Sequence, residues 1–112
     1  MIDTKNLIAL IEIALVEADK YVAKYYHGDE GPMISIKKAL RLLKEQVHNH
    51  PENINERVLR AMADVGGISV KTYENTSLET AIGSVTEMLY YGIPHYKNLE
   101  PLRMDFDKGD PI

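Results

Sequence analysis

The sequence predicts an all-α fold, in which a compact four-helix domain is followed by an extended C-terminal arm. Apolar residues recur at helical spacing in four segments of the chain. Prolines, glycines and capping residues separate these segments, as they do at the ends of helices. With 112 residues, of which 45% are apolar, the chain is long enough for one domain with a core, which we expect over residues 1–112.

The first helix is expected over residues 4–26. Asp3 or Thr4 can cap it by accepting a hydrogen bond from a free N–H group of the first turn. The first half of this helix is apolar on nearly every side, which is typical of a central helix that several neighbours contact. The stripe that should enter the core is formed by Leu7, Ile11, Ala14, Ala18, Val22 and Tyr25.

The second and third helices should each begin at a proline. Pro32 predicts a helix over residues 32–48, and Pro51 predicts one over residues 51–65, because the first helical position needs no N–H donor. The pair Gly66-Gly67 is expected to end the third helix, since glycine accepts the left-handed conformation that closes many helices.

The segment 68–73 alternates apolar and polar residues, so we expect a short strand or an extended link there. An alternative to the purely helical fold pairs this segment with residues 102–106, which also alternate, as a minor two-stranded sheet. A fourth helix is expected over residues 77–91. It follows a capping box, in which Thr76 accepts from the Glu79 N–H and the Glu79 side chain reaches back to the Thr76 N–H.

The C-terminal arm, residues 92–112, contains three prolines and two glycines, which exclude a long helix. It is nevertheless richer in large apolar residues than a disordered tail. We therefore expect the arm to dock on the helices through Leu102, Met104 and Phe106 and to turn its carboxylates outward.

The net charge of −4 is unevenly distributed. Residues 37–60 carry six basic and three acidic residues, whereas residues 61–112 carry eight acidic and four basic ones. An acidic protein is a poor general binder of nucleic acid and suits a basic partner. A basic stripe on the second helix is a solvated face or a docking site for the chain's own acidic arm; it consists of Lys37, Lys38, Arg41 and Lys44.

The sequence contains no nucleophile elbow, phosphate-binding loop or dinucleotide fingerprint, so we expect neither an enzyme nor a cofactor. A metal-dependent hydrolase is a minor alternative, because its histidines are two residues apart rather than three or four. Its ligands would come from His27, Asp29, Glu30, His48 and His50. The absence of cysteine and of an apolar membrane-spanning segment favours the cytoplasm.

Two segments carry a resemblance to a known class of proteins: the opening helix KNLIALIEIALVEADKYV and the acidic closing segment LRMDFDKGDPI. In their general character they resemble the immunity proteins of bacterial toxin systems, especially the helical ones of contact-dependent growth inhibition. The resemblance implies a protein that binds a cognate toxin, often a basic nuclease, and blocks it sterically and electrostatically. It implies no direct contact with nucleic acid or membrane.

The residues expected to contact such a partner are carboxylates, which would occupy the positions of nucleic-acid phosphates, and tyrosines, which are enriched at interfaces. They are Glu100, Asp105, Asp107 and Asp110, then Asp64 and Glu74, with Tyr91 and Tyr96 as tyrosine candidates. The alternative function is a non-catalytic adaptor that associates with itself through the apolar faces of the first and fourth helices.

Overall fold

Four α-helices follow one another along residues 2–25 and 31–104, which are the residues that the computed structural model describes. Over these residues the regular structure is entirely helical, and the predicted all-α class is confirmed. The helices are α1 (Thr4–Lys24), α2 (Pro32–Asn49), α3 (Glu56–Thr72) and α4 (Ser77–Gly92), followed by a short 3₁₀ helix (Tyr96–Asn98).

The sequence signals for helix N-termini are confirmed at three of the four helices. The Asp3 side chain accepts a hydrogen bond from the Asn6 N–H at 3.2 Å and caps α1. Pro32 occupies the first turn of α2. Thr76 Oγ1 accepts from the Glu79 N–H at 3.1 Å and caps α4.

The capping box at α4 is only half formed. The Thr76 N–H donates to the Tyr73 carbonyl at 3.2 Å rather than to the Glu79 side chain. The chain turns sharply here, with Asn75 in the left-handed region at a φ of 63°, a conformation that asparagine adopts more readily than most residues. In this tight turn the Tyr73 carbonyl accepts the hydrogen bond from the Thr76 N–H in place of the Glu79 carboxylate.

The predicted bounds of the third helix are wrong at both ends. Pro51 lies in the turn after α2, and α3 begins later, where Asn55 Oδ1 accepts from the Arg57 N–H at 2.8 Å. Gly66 and Gly67 lie inside the helix, which continues to Thr72. Neither glycine has a positive φ, since Gly31 is the one glycine of the described residues that does.

Tertiary packing explains why α3 continues through the two glycines. Ile68 and Ser69 are buried at three and four residues beyond Val65, so the core-facing stripe of the helix does not stop. A Cβ at Gly66 would lie 3.4 Å from Thr86 Cγ2, so α3 and α4 approach each other closely at this point. The alternative two-stranded sheet is therefore wrong: its first strand is helical up to Thr72.

Each helix packs against two neighbours, in the order α1, α2, α3, α4 and back to α1. The ion pairs Lys37–Asp19 and Lys44–Glu12 show that α1 and α2 run in opposite directions. The core lies between the four helices. Its largest fully buried side chains are Leu7, Ile11, Met33, Ile36, Leu40, Leu43, Val47, Leu59, Met62, Leu78, Ile82 and Leu89.

The C-terminal arm packs against α3 as far as it is described. The Leu102 N–H donates to the Arg60 carbonyl at 3.0 Å, and Arg60 Nε donates to the Glu100 carbonyl at 3.0 Å. The Met104 side chain is buried in the core, and the partly buried Leu102 side chain packs against the core. The predicted docking through Leu102 and Met104 is thus confirmed, whereas Phe106 lies outside the described residues.

Candidate functional site

The predicted partner-binding carboxylates fall at separate places. Glu100 is exposed, and its carbonyl is held by Arg60 on α3. Asp64 lies one turn beyond Arg60 on α3, hence on the same helix face. Glu74 is exposed in the turn between α3 and α4, away from these two. The structure therefore brings Glu100 and Asp64 to one side of α3. The remaining candidates, Asp105, Asp107 and Asp110, lie outside the described residues.

The two candidate tyrosines differ sharply in exposure. Tyr91 is 77% exposed at the end of α4, and its ring makes an edge contact with the ring of Tyr90. Tyr96 is 7% exposed, because the 3₁₀ helix turns back and packs its ring into the core. Burial raises the pKa of the Tyr96 hydroxyl to about 12. Tyr91 is available to a partner, whereas Tyr96 departs from the expectation of an accessible contact residue.

The basic stripe on α2 faces carboxylates of α1. Lys37 Nζ lies 2.7 Å from Asp19 Oδ1, and Lys44 Nζ lies 3.2 Å from Glu12 Oε1. The hydrogen bond and charge of Lys37 lower the pKa of the Asp19 carboxyl below its usual value. Lys37 and Lys44 of the stripe thus join α2 to α1, whereas contact of the stripe with Asp105, Asp107 and Asp110 of the arm lies outside the described residues.

The candidate histidines are exposed near the end of α2. His48 lies in the last turn of that helix, and His50 follows it. Over residues 2–25 and 31–104, no three His, Asp or Glu side chains come together in a way that could hold a metal ion. His27, Asp29 and Glu30 lie outside the described residues.

The outer side of α1 and α4 carries an open apolar groove that the sequence analysis did not predict. It consists of two adjoining hollows of about 530 and 300 Å³, which meet at Leu10 and Ser84. We call this surface the α1–α4 groove. It is lined by Ile2, Asp3, Leu10, Ile13 and Glu17 at the α1 side and by Ser77, Thr80, Ala81, Ser84, Glu87, Met88, Tyr91 and Gly92 at the α4 side.

The charges that line the α1–α4 groove are all negative. Asp3 and Glu87 border the larger hollow and Glu17 borders the smaller one, and none of the described residues that line them is lysine or arginine. Lys20 lies 3.4 Å from Glu17 beside the groove, but this exposed pair is weak. The groove thus combines apolar walls with a negative potential.

The signal for the groove was present in the sequence as the excess of apolar residues around α1. We expected α1 to be central for this reason; over the described residues its main contacts are with α2 and α4, two neighbours as for every other helix of the bundle. The predicted core stripe of α1 is fully buried from Leu7 to Ala18, but Val22 is half-buried and Tyr25 is 43% exposed. Ile13 and Val16, outside the stripe, are 52% and 51% exposed. The surplus apolar residues of α1 lie on the outside of the bundle, and Ile13 forms part of the groove.

The chain was compared with protein-family models, with curated proteins and with solved structures, and nothing matches in any of the three comparisons. Its class is therefore defined by the fold and the surface: a four-helix domain with an acid-lined apolar groove. Within the described residues no helix is long and apolar enough to cross a membrane.

Proposed function

We propose that the chain is a non-catalytic immunity protein that binds and neutralises a basic toxin, for which a nuclease is the best candidate. The observation that carries the proposal is the α1–α4 groove, which among the described residues is lined by apolar side chains and carboxylates and by no lysine or arginine. Apolar contact supplies binding energy, and charge complementarity speeds encounter with a basic partner. The exposed ring of Tyr91 is suited to anchor such a contact.

The proposed mechanism is steric and electrostatic. Carboxylates of the protein would occupy the positions at which the toxin holds nucleic-acid phosphates. Glu100 supports this part of the proposal, because the hydrogen bond from Arg60 to its carbonyl orders the backbone at that point. The proposal needs no cofactor, and its site of action is the cytoplasm, where the nucleic-acid target of such a toxin would lie.

A neutralisation experiment tests the proposed function. A basic nuclease domain, sought first in the reading frame next to this gene, would be produced in a bacterium with and without the protein. We expect growth to be restored by the protein, and the purified pair to form a complex that weakens as salt rises. Changing Asp105, Asp107 and Asp110 together to Asn should mainly slow association. Unrestored growth together with the absence of a complex would contradict the proposal.

Self-association is a second candidate, because the groove lies on the helices that the adaptor hypothesis names. Pairing two grooves would bring carboxylates of one copy against carboxylates of the other, since both hollows carry them. Added salt should change the binding affinity in opposite directions for the two candidates. Screening should strengthen a pair of like-charged copies and weaken a complex with a basic partner. Sedimentation at low and high salt measures both effects.

A further inference from the structure

We propose that the α1–α4 groove receives one amphipathic helix of the partner, whose apolar stripe enters the groove and whose lysine and arginine residues flank that stripe. The inference deepens the proposed function and rests on it for the identity of the partner. It names the secondary structure and the residue pattern that the groove selects.

The length of the groove fits a helix of about four turns. Gly92 at the end of α4 lies beside Ile2 at the start of α1, so close that a Cβ on Gly92 would be 2.8 Å from Ile2 Cγ1. The two helices are therefore antiparallel. Along α1 the groove runs from Ile2 to Glu17. At 1.5 Å per residue this corresponds to about 22 Å, or about 15 residues of a partner helix.

The walls favour a helix over an extended peptide. Both walls are α-helices, whose backbone groups are bonded within the helix, so they offer no free edge to a strand. A helix satisfies its own backbone and needs only side-chain contacts. In the smaller hollow, along the first half of α4, the wall is formed by small side chains, which allow a third helix axis to come close. These are Ser77, Thr80, Ala81 and Ser84.

The charge layout selects a basic helix and disfavours a second copy of this chain. The larger hollow is bordered by Asp3 and Glu87, and the smaller by Glu17, so carboxylates stand toward both ends of the groove. Lysine or arginine on both flanks of the partner's stripe would meet them. In a two-fold pairing, the carboxylates of one copy would instead meet those of the other.

The experiment uses designed peptides and the full chain. The probe is a peptide of about 15 residues with leucines at i, i+3, i+4 and i+7 spacing and lysines elsewhere. One control peptide has the same composition with the leucines dispersed around the helix, and another replaces lysine by glutamate. We expect saturable binding, measured by fluorescence anisotropy, for the probe alone, and weaker binding as salt rises.

Variants of the chain locate the binding. Ser84→Arg places a long side chain where the two hollows meet, and Tyr91→Ala removes the exposed ring. Each should weaken probe binding at least about tenfold, which corresponds to the loss of one central contact. Val70→Arg adds the same charge at a 61% exposed position of α3 outside the groove and should leave binding unchanged. Circular dichroism confirms that each variant remains folded.

The inference would be overturned by absence of saturable binding, by binding that Ser84→Arg and Tyr91→Ala leave intact, or by a dimer in sedimentation that Ser84→Arg dissociates. Probe binding that appears only after removal of residues 105–112 would make this chain's own end the occupant and would also overturn it. If Ser84→Arg still neutralises the toxin, the groove inference fails while the proposed function stands. If the probe binds the groove but no toxin is neutralised, the proposed function fails while the groove remains a binding site for a basic helix.

Discussion

Replacing Gly67 by alanine should stabilise the protein. Gly67 lies inside α3, its φ is not positive, and nothing lies within 4 Å of the position that a Cβ would occupy. Alanine therefore adds no clash at this site. It removes the conformational entropy that glycine loses when a helix forms, which is the main reason for the difference in helix propensity.

The expected gain is close to 1 kcal/mol in the free energy of unfolding, the difference between glycine and alanine in an exposed helix interior. With an unfolding entropy of about 2.1 cal/mol/K per residue, a chain of this length has about 0.24 kcal/mol/K in total. A gain of about 1 kcal/mol thus raises Tm by about 4 °C. Both quantities are well within the resolution of urea and thermal melts followed by circular dichroism at the helix band.

Two other glycines provide controls for this measurement. Gly66→Ala would bring Cβ to 3.4 Å from Thr86 Cγ2, so its gain should be smaller than that of Gly67→Ala. Gly31 has a φ of 60°, and Gly31→Ala should destabilise the protein, because alanine in the left-handed region costs about 1 kcal/mol or more. If Gly67→Ala also destabilises, Gly67 adopts the left-handed conformation that the sequence suggested, and a continuous α3 is refuted.

Three further predictions concern the core and the docked arm. Burial raises the pKa of the Tyr96 hydroxyl to about 12, above its value of about 10 in the unfolded chain. The free energy of unfolding should therefore be unaffected by this group below pH 10 and should fall by up to about 3 kcal/mol as the pH rises from 10 to 12. Tyr96→Phe should remove this pH-dependent loss of stability. Ile11→Asp places a charge at a fully buried position and should abolish cooperative melting, whereas Ile13→Asp, at 52% exposure, should melt near the parental temperature. Met104→Ala leaves a cavity at a buried position and should lower the free energy of unfolding, measured by urea titration, by about 2 kcal/mol. The control Arg103→Ala, at an exposed position, should change it by less than about 0.5 kcal/mol. A loss as small as this for Met104→Ala would mean that the arm is not docked.

The elements that could be predicted from sequence are those whose ends are defined by local chemistry. Asp3, Pro32 and Thr76 mark helix starts through interactions within one turn, and the structure has helices beginning beside each of them. The core stripe of α1 was also predictable in its first three turns, since Leu7, Ile11 and the residues that follow them recur at helical spacing.

The third helix could not be predicted by the same means, because local and non-local preferences conflict there. Gly66-Gly67 favours a stop, but Ile68 extends the buried stripe by another turn. Burying Ile68 is worth about 1.5–3 kcal/mol, which is of the size needed to offset the helix propensity of about 2 kcal/mol lost at two glycines. Ile68 is buried and Val70 is exposed, and their alternation with polar residues in the sequence is a pattern typical of a strand. A helix places the two residues on different faces as well, so the pattern does not distinguish the two structures.

The candidate site was predictable in part. Tyr91 was named because it flanks the break between the fourth helix and the arm, and among the described residues it is the most exposed of the large apolar side chains. Tyr96 was named for the same reason and is buried, because the 3₁₀ helix that follows α4 turns it inward. The α1–α4 groove was not predicted, since periodicity cannot distinguish an apolar residue of the core from one on an outer face.

The sequence by itself determined the all-α class, the starts of three helices and the apolar character of the arm, because these depend on interactions between residues close in the chain. Only the tertiary structure decided three further features: the passage of α3 through two glycines, the ion pairs of Lys37 and Lys44 with α1, and the exposure of Ile13 and Tyr91 along one groove. Each of these depends on which helix faces which. In an arrangement where every helix has two neighbours, α1 carries more apolar surface than they cover, and the remainder forms the acid-lined groove.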